Sequence, residues 1–114
     1  MDAVCSIAER RCQPCEGGIP PLSDEAAAAM VRDLPGWRVD GQRLEKTFVF
    51  RNHYETMAFV NVLAWISHRT DHHPELTVGY KDVRVVYWTH AIGGLSDNDF
   101  ICAAKIEKLL DISG

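Results

Sequence analysis

Two stretches of the chain hold side chains that can move protons at neutral pH. The run His68-Arg69-Thr70-Asp71-His72-His73-Pro74 carries three imidazoles, and His90 stands alone further on, followed by Asp99. Imidazole titrates near pH ~6.5, so it can give a proton and take one back, and two or three rings converging on one cleft suit general acid-base catalysis without a nucleophile. No Ser-His-Asp or Cys-His arrangement accompanies them. Plainer readings compete. Adjacent histidines before a proline also describe a polar helix exit, and Ser96-Asp97-Asn98-Asp99 has the spacing of a capping box, which would make Asp99 structural. His68 and His72, four apart, could share a helical face and take a zinc ion with His90 or Asp71. Against this, the Glu of a His-Glu-x-x-His motif is missing, and a helix that frays before His72 points the two rings apart. Cys12-x-x-Cys15 with Cys5 has zinc or redox spacing, but one such pair without a second reads more simply as unpaired thiols. No metal is expected at either place.

These residues need elements to position them. Ser23 is a good N-cap, with Asp24 and Glu25 in the first turn, helix formers over 26–31, and Leu34-Pro35-Gly36 as a stop. From Trp37 the pattern alternates, turns at Asp40-Gly41, and continues with Leu44, Phe48 and Phe50 on one face and Glu45 and Thr47 on the other, which predicts a hairpin. Asn52 caps a second helix whose 57–66 stretch has Asn61 as its one polar side chain, so that helix must be covered on more than one side. After Pro74 a second hairpin follows, with Leu76, Val78 and Tyr80, a turn near Lys81-Asp82, and Val83, Val85 and Tyr87 opposed to Arg84, Val86, Trp88 and His90. Gly93-Gly94-Leu95 ends it. Ser96 caps a last helix with Cys102, Ala103, Ile106, Leu109 and Leu110 as its buried stripe. The order α-β-β-α-β-β-α predicts an α+β fold, a four-stranded antiparallel sheet with helices packed on one face. The histidines and Asp99 then fall at element ends.

The 114 residues suffice for one domain, and 46% hydrophobic with 25% charged content describes an ordinary globular one. A net charge of -4 argues against a nucleic-acid partner. The acidic N-terminus lacks a signal-peptide core, and no apolar run reaches the ~20 residues that cross a bilayer, so a cytoplasmic chain without a membrane partner and with reduced cysteines is expected. Residues 1–21, rich in Cys, Pro and Gly, read as a tail ahead of a 22–114 domain.

Asp71-His72-His73-Pro74-Glu75, then Trp88-Thr89-His90, then Gly94-Leu95-Ser96 and Asp99 resemble the signature of the pterin-4a-carbinolamine dehydratases, and the similarity covers nearly all of 22–112. The resemblance implies dehydration of 4a-hydroxytetrahydropterin, left when an aromatic amino-acid hydroxylase spends its tetrahydropterin, to quinonoid dihydropterin, with no metal or organic cofactor. It makes His72 and His90 the catalytic acid-base pair and gives His73, Pro74 and Asp99 to the bound pterin. The second helix, apolar around nearly its whole circumference, predicts a homo-oligomer with that helix at a subunit contact, and the resemblance points the same way, to dimers that pair into tetramers. The alternative is non-catalytic: animal members of the family also act as dimerisation partners of a transcription factor. His68 stands where the family often has glutamate, Leu76 where it often has an aromatic, and Ile92 where some members have cysteine.

Overall fold

The computed structural model describes residues 7–12 and 20–110. Helix α1 spans Asp24–Val31, and the Ser23 hydroxyl accepts from the Ala26 N–H at 3.1 Å, as its capping role requires. Strands β1 (Arg38–Asp40) and β2 (Arg43–Val49) form the first hairpin, joined through Gly41 at φ 63°. Asn52 caps α2 (His53–Thr70) by accepting from the Glu55 N–H at 2.9 Å. Strands β3 (Glu75–Val78) and β4 (Asp82–Tyr87) form the second hairpin, a short 3-10 turn covers His90–Ile92, and α3 is Asp97–Leu110. The sheet order is β1-β2-β4-β3, antiparallel throughout.

Register decides which residues reach the core. Leu44 pairs with Tyr87 and Phe48 with Val83, so these four and Val85 lie on one face and are buried. On the opposite face Arg84 is exposed and Glu45 is covered by arginines. From α2, Phe59, Leu63 and Ile66 are buried, the i, i+4, i+7 stripe of a helix lying on a sheet. Met57, Val62 and Trp65, on its other faces, stay exposed.

Helix α3 departs from the expected stripe. Leu109 and Leu110 are about two-fifths exposed, whereas 98–104 are buried without a break. The cause lies at both ends. The last turn of α3 borders an apolar groove with Phe50, Ala58 and Val62. Its first turns are covered on a second side by residues 7–12: Ile7 and Ala8 are buried in the core, Lys105 Nζ donates to the Ala8 carbonyl at 2.6 Å, and Arg10 pairs with Asp97. Part of the stretch read as a tail is therefore packed on the domain.

Candidate active site

The exit of α2 sets the direction of His72. Asp71 adopts the left-handed conformation at φ 54°, which Asp tolerates better than most residues, and the N–H groups of Asp71 and His72 both turn back to the Ser67 carbonyl. Pro74 bars any continuation of the helix. Because α2 stops at Thr70, His68 and His72 do not share a helical face; His68 is exposed beside Trp65, their rings 6.2 Å apart.

His72 turns inward. Its side chain is 13% exposed, its ring lies parallel to Tyr87 at 5.8 Å, and its Nε2 is 2.6 Å from Asp99 Oδ1. Asp99 is fully buried, and its other oxygen accepts from the Ser96 N–H at 2.9 Å and the Thr89 hydroxyl at 3.0 Å. Asp99 thus does two things with one side chain: Oδ2 reaches back to the start of α3 as in a capping box, and Oδ1 holds an imidazole. Since Thr89 gives its one hydrogen to the carboxylate, the Ser96 hydroxyl, 2.7 Å away, donates to Thr89. A carboxylate only accepts, so Nε2 of His72 carries the hydrogen of that bond.

His73 and His90 are exposed. His90 opens the 3-10 turn after β4 and stacks on Trp88 with ring centroids 4.4 Å apart, while the Arg43 guanidinium lies 4.5 Å from the Trp88 ring centre. The His73 ring is 6.3 Å from His90, and its Nδ1 donates to the Pro74 carbonyl at 3.3 Å. The turn is shut by the Thr89–Gly94 backbone pair, and Gly94 has no room for a side chain: a Cβ there would meet Gln42 Oε1 at 2.6 Å and Pro21 Cβ at 2.7 Å.

The three histidines border one cleft of about 480 Å³, shared with Thr70, Trp88 and Asn98 and within the range of small-ligand pockets. Pro74 and Asp99 are buried and do not line it. Asp99 therefore meets the cleft through His72. Sequence reasoning passed over Tyr87 as a ring partner of His72 and Thr89 as a partner of Asp99. Alternation along β4 carried that signal, because Tyr87 and Thr89 continue the inward set Val83 and Val85. Cys12, which also borders the cleft, had no such signal. Burial pushes the Tyr87 phenol well above its ordinary range, so it remains protonated.

Comparison with known proteins agrees with this architecture. The profile of the family described as "Pterin 4 alpha carbinolamine dehydratase" matches residues 20–109. A protein of Dechloromonas aromatica, provisionally named a pterin-4-alpha-carbinolamine dehydratase, is 71% identical over 112 residues, covering 98% of this chain and 100% of its own length. A similarly named protein of Nitrosomonas eutropha is 56% identical over 96% of this chain and 98% of its own length. Among solved structures, the transcriptional coactivator/pterin dehydratase from Brucella melitensis aligns with a TM-score of 0.74 at 28% identity, over 78% of this chain and 97% of that one. A pterin dehydratase-like protein identified as a RuBisCO assembly factor in the alpha-carboxysome aligns at 0.58 and 28% identity, over 68% of this chain and 93% of that one.

Proposed function

This chain belongs to the pterin-4a-carbinolamine dehydratase family, and on that premise we propose that it dehydrates 4a-hydroxytetrahydropterin to quinonoid dihydropterin, with His72 and His90 as the acid-base pair. The carrying observation is the cleft itself, where an imidazole anchored by a buried carboxylate faces exposed imidazoles across a space that a bicyclic ring can enter. The reaction protonates the C4a hydroxyl, breaks the C4a–O bond to release water, and removes the N5 proton so that a C4a=N5 double bond forms. His72 suits the base. As its Nδ1 takes the N5 proton, the ring becomes cationic and Asp99, on Nε2, compensates the new charge. His90 then supplies the proton to the departing hydroxyl, and His73 orients the pterin beside it. Pro74 and Asp99 act on the substrate from behind, by fixing His73 and His72.

The test is turnover of a 4a-hydroxypterin generated in situ. The His72→Ala, His90→Ala double variant should lose roughly the 10²–10⁴-fold that acid-base catalysis supplies, leaving the spontaneous rate. A double variant with native turnover would overturn the assignment. Because only proton transfers are needed, a chelator should leave the rate unchanged; activity lost to chelation and restored by zinc would refute a metal-free mechanism.

A second reading has its own support. Met57, Val62 and Trp65 leave apolar surface exposed on α2 outside the histidine cleft, and one structural relative is described as a transcriptional coactivator/pterin dehydratase. A protein-binding role would survive the double variant, whereas the dehydratase role would not. The same surface suits self-association in the cytoplasm, since leaving large apolar side chains in water forgoes roughly 1.5–3 kcal/mol each. A homodimer or homotetramer is expected, and light scattering that returns a 12.8 kDa particle at micromolar concentration would refute it.

A further inference from the structure

Cys12 and Cys102 lie 90 positions apart in sequence, yet their sulfurs are 3.7 Å apart. Their settings differ. Cys102 is fully buried on α3, one turn beyond Asp99, with its sulfur 3.6 Å from the Thr70 hydroxyl. Cys12 is partly exposed and borders both the histidine cleft and a neighbouring one lined by Arg11, Arg69 and Lys105. One thiol is thus open to a small solute while the other waits behind it.

We propose that Cys12 and Cys102 form an oxidisable pair, which a hydroperoxide converts into an intramolecular disulfide at the edge of the histidine cleft. Cys12 is the attacking group. The hydrogen bond with Cys102 brings its thiol down to about 7 in spite of burial. The hydrogen bond and burial push Cys102 the other way. In the first step the Cys12 thiolate attacks one peroxide oxygen, the O–O bond breaks, and an alkoxide or hydroxide leaves with the electron pair, giving a sulfenic acid. In the second step the Cys102 sulfur displaces that hydroxyl, the S–S bond forms, and the Cys102 proton leaves with the hydroxyl as water. Two electrons pass from the thiols to the peroxide.

A disulfide of about 2.0 Å requires the sulfurs to close the remaining gap, with the 7–12 segment drawn toward α3. Its anchors, Lys105 on the Ala8 carbonyl and Arg10 on Asp97, already hold it along α3. Oxidation would fasten that segment covalently and remove the thiolate charge beside His72. The proposal does not depend on what the cleft turns over.

The experiment uses the full chain and a Cys5→Ser, Cys15→Ser variant, in which this pair holds the only thiols. Folded protein is treated with hydrogen peroxide, its remaining thiols are alkylated, and its peptides are mapped without reduction. The expected result in both proteins is one intrachain cross-link joining the Cys12 and Cys102 peptides, reversed by dithiothreitol. Adding Cys12→Ser should abolish the cross-link and leave Cys102 reduced. The proposal is overturned if Cys12 links instead to Cys5 or Cys15, if it proceeds to sulfinic acid without a cross-link, or if both thiols stay available for alkylation.

Discussion

Asp99 and Glu45 are both carboxylates taken out of water, and the fold holds them in opposite ways. Glu45 lies on the outer face of the sheet, 4% exposed, with one oxygen accepting from Arg38 on β1 and the other from Arg84 on β4 at 2.6 Å. The hydrogen bond from Arg38, more than any other influence, keeps its carboxyl below the ordinary range in spite of burial. Both partners are permanent cations, so nothing about the group changes near neutral pH. It ties three strands together. Asp99 meets two neutral donors and one histidine, the side chain whose charge can vary at working pH. Depth of burial does not separate the two carboxylates. The changeable charge of a partner does.

The sharpest way to break this contrast is at Asp99. Asp99→Ala removes the acceptor from three donors, so stability should fall by about 2–4 kcal/mol in urea titration and turnover should drop to the spontaneous rate. Asp99→Asn separates the two roles. Its oxygen would serve the Ser96 N–H and Thr89, and its amide nitrogen would face His72, forcing the ring hydrogen from Nε2 to Nδ1; kcat should fall by about 10²-fold or more with under ~1 kcal/mol lost. An asparagine variant that melts early yet turns over normally would reduce Asp99 to a helix cap. Trp88→Ala, which removes the ring beneath His90 together with its packing at the edge of the core, should raise KM a few-fold and cost about 1–2 kcal/mol of stability. Glu45→Gln should leave turnover alone and lower the melting temperature by a few degrees. The sign of its pH effect follows from the lowered carboxyl. The stabilisation is present above the unfolded value of about 4.3 and is lost as pH falls through the folded value, so wild type and variant should converge in acid.

Local signals in the sequence were enough for the elements. Ser23 and Asn52 cap the helices they announce, and Pro74 and Gly93 stop the elements before them, because these depend on one residue's own hydrogen bonding or φ preference. The sheet face followed from period-two alternation in β2 and β4. What stayed hidden depends on contacts between distant segments. Leu109 and Leu110 fit a buried periodicity, but periodicity does not say where the layer beneath a helix ends. Residues 7–12 carry no sustained pattern, and two of them, Ile7 and Ala8, are buried by the domain they lie against. In the site, His72 and His73 were legible as a pair, but their divergence, one toward Asp99 and one toward His90, is set by the backbone at Asp71.

Strand β4 ends on Tyr87, which lies under His72, and its next residue Trp88 lies against His90. Side chains on a strand alternate, so two neighbouring positions serve both sides of the cleft, and parity along the chain becomes part of the site. This restricts insertions and deletions unevenly. One residue added among 79–81, the turn before β4, leaves the facing of β4 unchanged and disturbs only that end of the sheet, where the Lys81 carbonyl accepts from the Phe50 N–H and the Tyr80 carbonyl from the Thr56 hydroxyl. One residue added inside β4 exchanges the faces of everything after it, so Trp88 would point into the core and Tyr87 out of it, and both imidazoles would lose their ring partners without any substitution in the cleft.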